Sequence, residues 1–187
     1  MIARTWLVVG AALLGAALTS VATAPAAHAK KKKPSISCKT NRVGKFKTNN
    51  QPGSQPLGVT YNTANDVLLV VGGSAKIQGS GIKTANLGVA FSFTATIPDL
   101  ESRTDFPVTA QATSTSYTYA IVRLVNPVAK VWMGDDTDLE HTMAVTVTGI
   151  KDGKISATFG GVVPVAEGDP SPLTISKGKV YAPITIQ

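Results

Sequence analysis

Leu87-Gly88-Val89-Ala90-Phe91-Ser92-Phe93-Thr94-Ala95-Thr96-Ile97 sets Leu, Val, Phe, Phe, Ala and Ile at every second position, with Gly, Ala, Ser and Thr between them. Successive side chains of a β-strand point to opposite faces, so this alternation gives one face to a core and leaves a small, polar face outside. The same period returns downstream. Met143, Val145 and Val147 alternate with Thr142, Ala144, Thr146 and Thr148, and Ile155, Ala157 and Phe159 alternate with Ser156 and Thr158. Lys151-Asp152-Gly153 separates these runs, and Asp-Gly supplies the positive-φ residues of a tight turn, which predicts a hairpin. A second hairpin is predicted from Leu173 and Ile175 through Lys177-Gly178 to Val180, Ala182, Ile184 and Ile186.

Less regular runs fill the space between. Val67-Leu68-Leu69-Val70-Val71 is apolar throughout, as in a strand covered on both faces, and Gly72-Gly73 is its predicted end. Ser116 to Val125 is rich in Tyr, Ile and Val and breaks at Asn126-Pro127; Val128 to Met133 adds a short strand with Trp132. Beyond the N-terminal segment, no stretch repeats apolar residues at helical spacing. The pattern predicts an all-β fold, an antiparallel β-sandwich or barrel of roughly eight to ten strands.

The C-terminal half also carries a resemblance. Asp152-Gly153-Lys154-Ile155-Ser156-Ala157-Thr158-Phe159-Gly160-Gly161, then Leu173-Thr174-Ile175-Ser176-Lys177-Gly178-Lys179-Val180, with Tyr117-Thr118-Tyr119 upstream, resembles a family of bacterial secreted proteins and lipoproteins. Those domains close with a Gly-Thr-Phe strand and a Thr-Ile-x-x-Gly-x-Phe strand. The likeness runs from Ser114 to the end, and the chain departs from it at Ala157 (usually Gly), at Val180 (usually Phe) and in lacking a lipid-attachment cysteine. The family has no assigned activity, so the resemblance implies a β fold and export, and no chemistry.

At the other end, residues 5–29 hold no Asp, Glu, Lys or Arg. Arg4 with the amino terminus reads as the positive start of an export signal, Trp6 to Leu18 as its apolar stretch, and Ala27-His28-Ala29 as its cleavage site. This places the remainder outside the cytoplasm: secreted, periplasmic or in the cell envelope. Lys30-Lys31-Lys32-Lys33 follows, and positive charge there resists translocation, so an uncut segment would instead be an inverted anchor with a cytoplasmic body. The cleavage site argues for removal. The reading divides the chain into a signal peptide (1–29), a basic flexible arm (30–52) and a single all-β domain (53–187). Of 187 residues, the 158 after Ala29 suffice for a core without disulfides.

Charge is unevenly placed. Residues 30–65 carry Lys30, Lys31, Lys32, Lys33, Lys39, Arg42, Lys45 and Lys47 and no acid, while residues 66–187 carry nine Lys/Arg against eleven Asp/Glu. The arm is therefore expected to be solvated, with Lys30 to Lys33 able to hold an anionic cell-surface polymer or lipid by attraction that salt screens. Nucleic acid fits poorly, since Phe46 is the arm's one aromatic for stacking. Cys38 is the sole cysteine, so it is either a free thiol or one half of a disulfide-linked dimer. Spacing argues against lipid attachment there, because four lysines separate it from the apolar stretch.

No residue is assigned a catalytic or cofactor-binding role. Asp135, Asp136, Asp138 and Glu140 form the densest acidic stretch and are the candidate Ca²⁺ ligands, although their spacing departs from the EF-hand loop; a solvated turn is the competing reading. His141, the only histidine after Ala29, would have to serve any Ser-His-Asp hydrolase, yet no Gly-x-Ser-x-Gly elbow is present. Tyr117, Tyr119 and Trp132 could line a small pocket or pack as cross-strand partners. The sequence thus points to an exported, non-catalytic binding or structural module. Two alternatives stand beside it: a carrier of a small apolar ligand in a barrel cavity, and a secreted hydrolase.

Overall fold

The computed structural model describes residues 32–48, 57–78, 85–123, 128–167 and 171–187. The predicted signal segment, Lys30 and Lys31 lie outside these residues. The described chain is all-β, with twelve strands and no helix. They are β1 (Ser35–Thr40), β2 (Gly44–Lys47), β3 (Gly58–Asn62), β4 (Val67–Gln78), β5 (Ala85–Thr96) and β6 (Val108–Arg123). Then follow β7 (Val128–Asp135), β8 (Ala144–Lys151), β9 (Lys154–Val163), β10 (Val165–Glu167), β11 (Leu173–Pro183) and β12 (Thr185–Ile186). The count exceeds the expected eight to ten because the basic segment contributes β1 and β2, and because β10 and β12 are very short.

The decisive alternation behaves as read. Phe91, Phe93, Ala95 and Ile97 are buried, and the intervening Ser92 and Thr94 are not. β5 pairs antiparallel with β4 in unbroken register from Val67 opposite Thr96 to Gln78 opposite Ala85. On its other side lies β6, whose far edge meets two neighbours in succession: β8 through Val108–Gln111 and β7 through Ser114–Ile121. The register slips at Thr113, where a bulge bends β6 between them. The ladder then runs β12-β3-β4-β5-β6-β8-β9-β11-β1-β2, antiparallel except for β12 beside β3.

The Asp-Gly hairpin joins β8 to β9 as predicted, with Asp152 at φ 51° and Gly153 at φ 65°. Lys177-Gly178 differs. It is not a hairpin turn but a bulge inside one continuous strand, with Ile175 opposite Gly161 and Gly178 opposite Phe159, so that Ser176 and Lys177 share the place opposite Gly160. Lys177 does take a left-handed conformation, φ 54°. Gly178, however, presses on β9 so closely that a Cβ would collide with the Phe159 carbonyl oxygen. A turn and a bulge demand the same residue types, and here pairing to β9 on both sides selects the bulge.

Two further expectations are corrected. Val67–Val71 is covered on one face: Leu68 and Val70 are buried, whereas Leu69 is 38% exposed. Gly72-Gly73 does not end that strand; Gly72 gives room to Ile36 of β1, whose Cδ1 would lie 2.9 Å from an added Cβ. The second correction concerns the basic segment, of which residues 35–47 are a docked hairpin and not a flexible arm. Ile36, Cys38 and Thr40 are buried on alternate positions of β1, Phe46 is buried from β2, and β1 pairs with β11. Ser35, Ser37, Lys39, Lys45 and Lys47 occupy the opposite face, so burial of the inner row overrides the local polarity.

Aromatic rings fill the centre. Phe91 and Phe93 of β5 lie 5.1 and 5.3 Å from Phe159 of β9, and Phe46 of β2 lies 6.3 Å from both Phe91 and Tyr117. Tyr117 in turn meets Trp132 of β7 at 6.0 Å.

Candidate functional site

The outward faces of β2, β1, β11, β9 and β8 form the most distinctive surface of the described residues. Register puts Lys47 opposite Ser37, Ser37 opposite Lys179, Lys179 opposite Thr158, Thr158 opposite Thr146, and Thr146 opposite Thr109. Directly paired residues share a face, so these six side chains make one row across six strands. At about 4.8 Å per strand the row spans about 24 Å. The inward neighbours, from Phe46 and Cys38 through Val180 to Ala157 and Val147, are buried, which fixes the row's orientation.

Lysines crowd one end of this row. Lys39 pairs directly with Lys45 across β1 and β2, and the β11 bulge adds Lys177 beside Ser176, the partner of Lys39. Like charges directly opposite one another destabilise a sheet. Lys39, Lys45, Lys47, Lys177 and Lys179 are all exposed, and none forms an ion pair among the described residues. The five strands contain no Asp or Glu, and the nearest acid in sequence is Asp152 in the β8–β9 turn.

Three surface depressions lie on this side. One of about 490 Å³ is edged by Ser37, Lys39, Lys45, Lys47 and Lys177 with Cys38 and Phe46. A second, about 470 Å³, is edged by Thr146, Thr158, Lys177, Gly178 and Lys179. Lys177 borders both. The third, also about 470 Å³, lies by Thr148, Lys151, Lys154, Ser156 and Tyr181. Over Tyr181 the Lys32 ammonium sits 4.3 Å from the ring centroid, a cation–π contact.

The residues singled out from sequence fall elsewhere, or have other tasks. Lys32 and Lys33 are exposed at the edge of β1, while Lys30 and Lys31 are outside the described residues. The acidic stretch lies in the turn after β7. Asp135 Oδ1 accepts from the Thr137 backbone N–H at 2.9 Å and from its hydroxyl, which together hold the carboxyl below its usual range; Asp138 Oδ1 accepts from Glu140 N–H at 2.9 Å. Among the described residues no three His, Cys, Asp or Glu side chains converge as a metal site, so Asp135, Asp136, Asp138 and Glu140 are not brought together as a ligand set.

His141 is a clamp on that turn. Its Nδ1 lies 2.9 Å from the Asp135 carbonyl oxygen and its Nε2 lies 2.9 Å from Thr115 Oγ1, with the ring buried. A carbonyl only accepts, so Nδ1 carries a proton, while Nε2 shares a hydrogen bond with the Thr115 hydroxyl, which also lies 3.5 Å from Met143 Sδ. Both nitrogens are thus engaged by the chain itself. Trp132 and Tyr117 are core residues: Trp132 donates through Nε1 to the Ser171 carbonyl at 3.0 Å. The Tyr117 hydroxyl, beside Thr40 and Cys38 without a well-formed hydrogen bond, is raised in pKa by burial.

Cys38 is buried, and burial pushes its thiol up to about 12. A disulfide-linked dimer through Cys38 would require a thiolate at the surface, and this environment opposes it. Lys39, Lys45, Lys177 and Lys179 were not legible as one group from sequence, because more than 120 residues separate β1 and β2 from β11. Their period-two placement among buried partners was the available signal. Comparison with protein-family models, with curated proteins and with solved structures finds no match to this chain.

Proposed function

We propose that this is an exported, non-catalytic β-domain that works in the cell envelope or outside the cell as a binding module, adhering to an anionic polymer or lipid. The observation that carries this reading is the lysine face of β2, β1 and β11. Five exposed lysines without acidic partners keep their charge available, and two of them are directly paired across strands. A purely structural surface would gain by neutralising that pair. Export rests on residues 5–33, and the non-catalytic reading is supported by the closed hydrogen bonding of His141. We further infer a β-sandwich: rings of β5, β6 and β7 packed against rings of β2 and β9 support two layers meeting over a filled centre. That filling favours a solid core over the cavity of an apolar-ligand carrier.

The test compares residues 30–187 with a Lys39→Ser/Lys45→Ser/Lys179→Ser variant for retention on acidic vesicles and on an immobilised polyanion. Retention of the parent at low salt, its loss at high salt, and weak retention of the variant are expected. Equal retention of the two forms overturns the reading. Mass spectrometry of the exported protein should find Ala29 removed with the signal.

A further inference from the structure

We infer that the occupant of the lysine face is a single linear polyanion with hydroxyl-bearing units, laid across the strands along the Lys47-to-Thr109 row and held at its middle by Lys177. This rests on the anionic-surface reading above and narrows it. Three observations select a chain over a membrane or a nucleic acid.

The first is shape. The depressions on either side of Lys177 follow one another across β2, β1, β11, β9 and β8, which makes a trough and not a single pit. Ammonium groups dominate one end; at the other stand the Thr158 hydroxyl and the Thr146–Thr109 pair, whose hydroxyls bond each other at 2.8 Å and leave one proton and oxygen lone pairs for a ligand. A ligand matching both ends must carry anionic groups and hydroxyls along its length, as acidic polysaccharides and polyol phosphates do. Lysine supplies point charges that tolerate varied anion geometry, and threonine donates to or accepts from hydroxyls.

The second is what the face lacks. Leu69, Val128, Met133, Leu139 and Ile186 are the large apolar side chains exposed among the described residues, and none lies on β1, β2, β8, β9 or β11. Charge alone gives an anionic bilayer a screened attraction to the lysines, and firmer docking adds apolar groups inserted at the interface, which this surface lacks. Bases need exposed aromatic platforms. Tyr181 is the aromatic edging the third depression, and its ring is already met by Lys32.

The third is backbone strain at the trough's centre. Lys177 holds φ 54°, a conformation that costs a side-chain-bearing residue energy and that glycine adopts freely. Glycine would fit this bulge better, yet the position carries the one side chain that borders both depressions. Strain of this kind marks places where a side chain is wanted for something other than stability.

The experiment uses residues 30–187 with dextran sulfate fragments of graded length, polyphosphate, and vesicles of mixed anionic and neutral lipid. Affinity for dextran sulfate should rise with length until the fragment spans about 24 Å, and should exceed that for polyphosphate of equal charge and for the vesicles. Lys177→Gly should bind dextran sulfate about fivefold more weakly, the effect of about one charge beside an anionic partner, while melting at the same or a higher temperature. A single sulfated sugar binding as tightly as the longest fragment, or Lys177→Gly binding as the parent does, would overturn the proposal. Binding to vesicles without binding to dextran sulfate would overturn it while leaving the anionic-surface reading intact; binding to none of the probes would sink both.

Discussion

His141 has the residue type of a general base and the surroundings of a turn clamp, and the difference lies in its partners. Asp135 and Thr115 occupy both ring nitrogens, and the His141 N–H donates to the Asp138 carbonyl at 2.9 Å. His141→Ala should therefore destabilise the fold by about 1–3 kcal/mol, since it removes the ring donor to the Asp135 carbonyl and leaves the Thr115 hydroxyl only its weak Met143 sulfur contact, and urea titration measures this. Cys38 gives a second residue-scale outcome. Its ordinary thiol value of 9.0 rises to about 12 in the fold through burial. The unfolded thiol loses its proton first, so between pH 9 and about 12 the folded state binds more protons and stability falls as pH rises. Tyr61 acts in the same direction from 10.0 to about 12, through burial and its hydrogen bond to Asp66. Cys38→Val should flatten the melting-temperature curve near pH 9–10, leaving the later loss to tyrosine; a curve unchanged by the substitution would remove Cys38 as a cause. At this scale the sequence disclosed candidates by type, and the partners that decide their roles lie 26 residues away for His141 and 39 for Trp132.

Strands show most clearly what could be read in advance. β5, β8 and β9 alternate cleanly, and their buried faces match the expected ones because no competing feature perturbs them. β1 and β2 alternate too, as Ile36-Ser37-Cys38-Lys39-Thr40 and Lys45-Phe46-Lys47, but short length and high charge made them resemble a solvated arm. Their stability comes from the partner strand β11 and from Phe46 against Phe91 and Tyr117, contacts invisible to local pattern. Phe46→Ala should accordingly cost about 3–5 kcal/mol in denaturant unfolding. Deleting Lys30 to Lys33, which precede β1, should leave the melting temperature nearly unchanged. A hairpin that contributed nothing would give the same small effect for both changes.

Over the whole molecule, charge is sorted by the ladder. Residues 35–47, 144–163 and 173–183 hold eight Lys/Arg against one acid, Asp152, whereas residues 57–140 hold five Lys/Arg against eight Asp/Glu. Net charge was plain from composition; its concentration on one face was not, because it depends on β11 bringing Lys177 and Lys179 beside β1. If the proposed lysine face is the binding surface, placement and not total charge governs retention. Two variants of equal net charge separate them: Lys39→Ser/Lys45→Ser/Lys179→Ser on the face, and Lys76→Ser/Arg123→Ser/Lys130→Ser on β4, β6 and β7, outside those five strands. Each is measured for binding to immobilised dextran sulfate at low salt, beside its melting temperature. The first should lose most of its binding and the second keep it; equal losses in both would contradict a binding role for the lysine face.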